Sequence, residues 1–290
     1  MLIGEEPIDA PAADAVMARA QTENFPVASR LLPRREREDL LAIYGFARLV
    51  DELGDSAEIP PARRLSALAW LEGELDLAFD GCAEHPLLVR LQPTLRARSL
   101  TREPFVRLIE ANRLDQRVKH YATWEQLRGY CALSADPVGE LVLAVFGLAT
   151  PERIALSDSI CTALQLLEHC QDVAEDLAAG RVYLPEEDLE RFDVTRADLA
   201  AVDAGQGVRE VIAFEVARAR RLLAQGAPLI SELHGRPRFA VAAFVAGGAS
   251  ALDAIERARY DVLTGPPRVG SGRRLLQLAI TLARYRGARR

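Results

Sequence analysis

The sequence predicts an all-α fold. Leu and Ala dominate the chain, β-branched runs are scarce, and apolar residues recur at three- and four-residue steps through most of it. Helices are expected over about 10–21, 35–53, 61–80, 85–98, 102–118, 123–133, 137–148, 151–178, 207–226, 237–262 and 273–286. Punctuation supports these divisions in order. Pro60 and Pro61 open the third segment and Gly81 closes it, Pro104 falls in a first turn, and Pro151 follows Thr150. The stretch from Gly180 to Pro185 ends the long eighth segment, and Thr264-Gly-Pro-Pro267 separates the last two. No linker divides two folding units and no fixed-period repeat is present, so one domain over 1–290 is expected. Residues 1–20 read as a loose N-terminal extension and 264–290 as a basic C-terminal helix.

The chain has 290 residues, of which 49% are hydrophobic and 27% charged. A chain of this size buries roughly 75% of its unfolded surface, so its core needs neither metal nor disulfide. The formal charge of −6 disfavours nucleic acid as a partner. Cys82, Cys131, Cys161 and Cys170 lie far apart without a Cys-x-x-Cys pair, and read as buried thiols in a reducing cytoplasm. The N-terminus shows no basic segment followed by an apolar run. The longest uncharged stretch, Phe239 to Leu252, is too short and too rich in small residues to span a bilayer. A cytoplasmic location is therefore expected.

Two segments carry candidate chemistry, Asp51-Glu-Leu-Gly-Asp55 and Asp172-Val-Ala-Glu-Asp176. Aspartates four apart share one helix face, about 6 Å apart along the axis. Such a pair can hold Mg²⁺, a hard ion that binds through one or two carboxylates plus the phosphates of a substrate. Asp76 and Asp80 repeat the spacing just before Gly81, where they read as solvated surface, so spacing alone decides nothing. Context separates the first two pairs from the third. Arg48 lies one turn before Asp51 and Tyr44 one turn before that, while Arg181 and Tyr183 follow Asp176 closely enough to fold back over a charged ligand. Arginine suits phosphate because its planar fork donates several hydrogen bonds at once.

In order along the chain, these segments resemble the squalene and phytoene synthase family of head-to-head prenyl synthases, over roughly residues 20–265. The resemblance rests on Phe25-Pro-Val-Ala-Ser29-Arg30-Leu-Leu-Pro33, Tyr44 to Asp55, Arg113-Leu-Asp115 and Tyr130 to Gly139, and on Gln165 to Asp176 running on to Pro185. It implies a single bundle of helices around a deep apolar cavity, with the two aspartate-rich motifs facing each other across its mouth and a prenyl diphosphate bound there with two or three Mg²⁺ ions. Asp51, Asp55, Asp172 and Asp176 match the family's metal-binding aspartates, and Glu168 can offer a further oxygen. Tyr44, Arg48 and Arg181 match diphosphate contacts, and Tyr260 a further active-site tyrosine. Phe25, Val138 and Gly139 would line the prenyl tunnel. Ser29, Arg30, Asp115, Gln165 and Tyr183, from the matching segments, complete the expected substrate-binding set.

The departures narrow the expectation. Members that condense two prenyl diphosphates usually carry Asn where this chain has Glu168 and Arg where it has Gln171, and tend to read Ala-Gly-Thr-Val-Gly where it reads Ala135-Asp-Pro-Val-Gly139. The altered set resembles the family's hydroxysqualene synthase branch in bacterial hopanoid and squalene biosynthesis. That branch ionises presqualene diphosphate, opens its cyclopropane ring and captures the cation with water. It implies partner enzymes that supply presqualene diphosphate and reduce the alcohol with a flavin. Asp136 and His169 are the candidates for placing the water. With no Gly-x-Gly-x-x-Gly element after a strand, NADPH is not expected. A condensing synthase making presqualene diphosphate, squalene or phytoene is the alternative activity, and a non-catalytic assembly or lipid-carrier protein the alternative class. The four intact aspartates oppose that last class.

The basic end, Arg273 to Arg290, reads as a packed final helix with a solvated cationic tail. Its alternative reading is a peripheral contact at the inner face of the membrane, since such helices can lie on anionic lipid.

Overall fold

The computed structural model describes residues 11–18, 32–55 and 59–286. Among these the chain forms helices without a strand, and an isolated parallel bridge joins His120 to Val182. Contacts group it into two compact units. The first takes the described part of Met1–Arg117 with Ala144–Gly147, and the second the described part of Val118–Leu143 with Leu148–Arg290.

The first unit holds α1 (Ala13–Ala18), α2 (Arg34–Asp55), α3 (Pro61–Asp80), α4 (Pro86–Arg98) and α5 (Glu103–Asp115). The expected helix over 10–21 is thus observed only over 13–18 among the described residues. The centre of the unit is α2, which buries Leu40, Ile43, Phe46, Leu49, Val50 and Leu53 and packs on α3, α4 and α5. Phe105 of α5 meets Phe46 edge-on, with centroids 5.1 Å apart. Prolines sit in the first turns of α3, α4 and α5, where a missing N–H costs nothing. At its other end α3 closes on Gly81, whose φ of 85° favours glycine. Buried Asp39 fastens α4 to α2 by accepting from Thr94 Oγ1 at 2.8 Å and Arg98 Nε at 2.7 Å.

The second unit holds α6 (Trp124–Ser134), α7 (Asp136–Val145), α8 (Pro151–Gln171), α9 (Val173–Ala178), α10 (Glu186–Arg191), α11 (Arg196–Leu199), α12 (Gln206–Gly226), α13 (Leu229–Glu232), α14 (Gly235–Arg257) and α15 (Ser271–Arg284). Helices α8 and α12 form its tightest pairing. A Cβ at Gly226 would run into the Leu156 carbonyl and lie 2.9 Å from the Ile160 nitrogen. By length and composition α14 could cross a membrane, but half of its most apolar window is buried against other helices of this unit, as in a core helix. Asp136, the first residue of α7, accepts from Arg128 Nη1 of α6 and Thr162 Oγ1 of α8, both at 2.9 Å.

A buried polar cluster ties α10 to α12. Arg218 donates to Asp188 at 2.7 Å and to Glu215, and stacks over the Trp124 ring at 4.6 Å. One guanidinium serves two carboxylates, and burial, opposed by the Arg218 charge, pushes Glu215 up to about 8.

Four expectations need correction. The helix over 151–178 is broken at Asp172, whose φ of −104° and ψ of 17° end α8 and begin α9. The helix over 237–262 stops at Arg257, because Arg259 and Tyr260 both take positive φ. The basic C-terminal helix covers Ser271–Arg284 rather than 264–290, with Thr264–Pro267 ahead of it non-helical. Cys82 is exposed, while Cys131 and Cys170 are buried as expected and Cys161 is partly so. The three-helix set α10, α11 and α13 lacks any sequence forecast because each is too short to show a period.

Gly226→Ala is expected to destabilise the protein by about 1–3 kcal/mol, since backbone atoms must move to admit the methyl. Gly73→Ala, in open space on α3, is expected to stabilise it by about 0.5–1 kcal/mol. Urea unfolding of both variants checks the contrast. Glu215 binds its proton more tightly folded than unfolded, so its own contribution to stability is greatest at acid pH and is lost as pH rises from about 4.5 towards 8. Melting curves from pH 5 to 9 should show this decline, and Glu215→Gln should flatten it.

Candidate active site

In the first unit, α2 places Tyr44, Arg48, Asp51 and Asp55 on one face at steps of four, three and four. The opposite face is the buried ridge, which leaves Asp51 and Asp55 exposed and Tyr44 and Arg48 partly buried. Arg48 donates to Glu52 Oε1 at 3.2 Å and lies 3.8 Å from Asp51 Oδ2, so the cation is held among the carboxylates. Asn112 of α5 and Gln116, which caps it, support this end of α2. Asn112 Nδ2 donates to Asp51 Oδ1 at 3.4 Å, and Gln116 Nε2 donates to the Gly54 carbonyl at 3.0 Å. Gly54 is what lets α5 approach, since a Cβ there would collide with the Asn112 side chain.

Of the resemblance segment Arg113-Leu-Asp115, Asp115 is buried on α5 as an interior group, whereas Arg113 turns aside to Glu72 at 2.8 Å. Asn112 is the contact that the motif reading missed. It stands one residue ahead of that segment, and a buried Asn on an apolar helix was the available signal. Phe25, Ser29 and Arg30 lie outside the described residues.

In the second unit, Gln165, Glu168, Asp172 and Asp176 follow one another along α8 and α9. The helix break leaves their relation intact, because the Asp172 N–H donates to the Glu168 carbonyl at 2.9 Å and the Asp176 N–H to the Asp172 carbonyl at 2.8 Å. Burial first, and the nearby Glu175 second, raise the Asp172 carboxyl above its ordinary value. After α9 the chain turns back, and the Arg181 N–H donates to the Asp176 carbonyl at 2.8 Å. The Val182 N–H then bonds the Lys119 carbonyl at 2.8 Å, and this fixes Tyr183 inside the unit.

Tyr183 stacks on His169 with centroids 4.0 Å apart, and Tyr130 and Tyr121 close the cluster at 5.4 Å and 5.9 Å from Tyr183. His169 Nδ1 stands 4.0 Å from Asp176 Oδ2, and its Nε2 lies 3.4 Å from Gln165 Nε2. Burial, helped by the Arg181 charge, pushes His169 down to about 3, so its ring is neutral beside the carboxylates. The aromatic cluster draws on four separate segments, which sequence spacing does not connect.

A cavity of about 200 Å³ lies within this unit, between α7, α8 and α14. Val138, Gly139, Leu164, Phe244, Gln165 and Glu168 are among its walls, so the expected tunnel residues Val138 and Gly139 do meet the polar Gln165 and Glu168. A Cβ at Gly139 would strike Ser157 Oγ and come within 2.6 Å of Cys161 Sγ, so glycine keeps this wall thin. The volume is below the ~300–1,000 Å³ that buries a whole small molecule, and suits part of a long apolar chain. Tyr260 does not line it. That tyrosine sits in the left-handed turn after α14, where its N–H donates to the Ile255 carbonyl at 2.9 Å. Asp136 borders the cavity through Ala135, but both its oxygens hold α7 to α6 and α8, which makes it a fastening group.

Each acidic segment offers carboxylate oxygens only, the donors that a hard divalent ion takes from a protein when substrate phosphates complete its shell. Among the described residues, no three His, Cys, Asp or Glu side chains cluster to hold an ion by themselves. The donor chemistry therefore fits Mg²⁺ bound together with a diphosphate.

The profile of the squalene/phytoene synthase family matches residues 18–274. The chain belongs to that family. It is 45% identical to the squalene synthase HpnC from Alicyclobacillus acidocaldarius, whose crystal structure superposes with a TM-score of 0.79 over 86% of this chain and 94% of that one. A hydroxysqualene synthase from Sinorhizobium fredii is 34% identical over 77% of this chain and 76% of its own length. A phytoene synthase from Arthrospira platensis is 32% identical over 91% and 89%. The family comprises enzymes that process prenyl diphosphates, and both the all-α fold and the resemblance stated from the motifs stand.

Proposed function

We propose that this chain is a hydroxysqualene synthase, a single-domain enzyme that ionises presqualene diphosphate and captures the rearranged cation with water. The observation that carries the reading is Glu168 with Gln171. Where condensing members resemble one another in carrying Asn and Arg, this chain has a carboxylate on the cavity wall and a neutral amide three residues on. The rim is two charge units more negative than in those members, which disfavours seating a second diphosphate. The similarity to three relatives named hydroxysqualene synthase supports the same branch.

In this reading Asp51 and Asp55 in the first unit, and Asp172 and Asp176 with Glu168 in the second, would hold divalent ions. Bound Mg²⁺ supplies Lewis-acid stabilisation of the departing diphosphate. Tyr44, Arg48 and Arg181 would supply donors to a departing diphosphate. Asn112 keeps Asp51 in place, and the Tyr183–His169 stack fixes the segment that carries Arg181. As the C–O bond breaks, diphosphate leaves with the electron pair, the cyclopropane ring opens, and the allylic cation lies against apolar walls that exclude bulk solvent. One water adds its oxygen to the cation, and its proton passes to the diphosphate or to solvent. No electron transfer is needed, so NADPH has no role in this reaction.

The alternative, a condensing synthase, is favoured by the similarity to phytoene synthase along nearly the whole chain. Incubation with Mg²⁺ and either presqualene or farnesyl diphosphate, with and without NADPH, followed by mass spectrometry, separates the two. Hydroxysqualene from presqualene diphosphate alone, indifferent to NADPH, is expected. Presqualene diphosphate or squalene from farnesyl diphosphate would overturn the reading in favour of condensation. Asp51→Asn and Asp172→Asn should each lower kcat/KM by at least about 100-fold with melting temperatures little changed, because rim carboxylates add little to the core. Near wild-type turnover in both would remove the metal assignment.

A further inference from the structure

Helix α15 is amphipathic, but it is turned the wrong way round for a core helix. Thr281 is its buried residue, and Gln277 also lies on the partly covered side towards α12 and α14. Leu275 and Leu276 are 68% and 62% exposed, Ala279 and Ala283 continue the outward stripe, and Ile280, 49% exposed, stands at its edge beside the groove towards α12 and α14. These five positions follow the three- and four-residue steps of a single helical face, within residues 275–283. Arg238 of α14 holds the inner side in place by donating to the Leu282 and Tyr285 carbonyls at 3.2 Å and 3.1 Å.

Charge identifies what covers the stripe. After Asp261 the chain has seven arginines and no acidic residue, although the whole chain carries a formal charge of −6. Arg273 and Arg274 precede the stripe while Arg284 and Arg286 follow it, all four exposed. A second copy docked face to face would bring two such cationic helices together with no counter-charge on either. An anionic bilayer meets both demands, because headgroups neutralise the arginines while the leucines enter the acyl boundary. We infer that α15 is an interfacial membrane anchor, which lies in the plane of an anionic lipid surface with Leu275, Leu276 and Ile280 inserted. The inference stands on this helix alone and is independent of the activity proposed above.

Co-sedimentation of the full chain with phosphatidylcholine vesicles, with and without phosphatidylglycerol, tests it. The protein should pellet with the anionic vesicles and stay in solution with the neutral ones. Leu275→Glu/Leu276→Glu should cut the bound fraction at least tenfold, with circular dichroism and melting unchanged because both side chains are exposed. Arg273→Gln/Arg274→Gln should weaken binding and its salt dependence together. Failure to pellet with anionic vesicles, or undiminished binding of the Leu275→Glu/Leu276→Glu variant, would overturn the inference. So would a lipid-free dimer in light scattering that this variant splits, since the stripe would then be a contact between copies.

Discussion

Carboxylates at the C-terminal ends of helices are the constraint on which the candidate site depends. Asp51, Glu52 and Asp55 occupy the last turns of α2, and Glu168 the last turn of α8 with Asp172 as its cap. The backbone dipole already places partial negative charge at those ends, so each acid there opposes it by about 0.3–1 kcal/mol. No basic residue occupies the last turn of α2. Much of the nearby chemistry answers this repulsion. Arg48 sits among the α2 acids, Asn112 donates to Asp51, Gln116 donates to a terminal carbonyl, and the chain after α9 brings Arg181 back to Asp176. Such an arrangement costs stability and adds nothing to the core, as expected where function rather than folding selects the residues.

The helical skeleton was legible because its punctuation is covalent. Pro61, Pro86, Pro104 and Pro151 occupy first turns, and Gly81 takes the left-handed conformation that ends α3. The break at Asp172 escaped the same reading for a physical reason. Backbone bonds run from Asp172 to Glu168 and from Asp176 to Asp172, so the acidic side chains keep helical spacing while the helix bends between them. The aspartates, Arg48, Val138 and Gly139 could be named from motifs because each motif is continuous in sequence. Asn112, and the stack of Tyr121, Tyr130, His169 and Tyr183, could not be, since they exist only after separate segments have packed.

The last helix shows the limit of periodicity in another way. The spacing of Leu275, Leu276 and Ile280 reveals a stripe but not the direction it faces, and the ordinary expectation is a stripe turned inward. Here Thr281 and Gln277 lie towards the protein and the leucines lie outward. Only the neighbours of the helix, α14 above all, decide that orientation. A final helix therefore needs its tertiary contacts before amphipathicity can be read as burial or as display.

Glu168 joins the two halves of the chemistry in the second unit. Its side chain lines the apolar cavity, while its carbonyl accepts the Asp172 N–H at the head of the second acidic segment. A carboxylate in that place acts on two kinds of charge. Towards a second diphosphate it is repulsive, and the neutral Gln171 offers no guanidinium to offset it. Towards a carbocation in the adjacent apolar space it is attractive, and its oxygens can also accept a hydrogen bond from a water. Asn at the same point would do neither strongly. On the function proposed above, Glu168 and Gln171 together would disfavour the gathering of two anionic substrates and favour the termination of one cation.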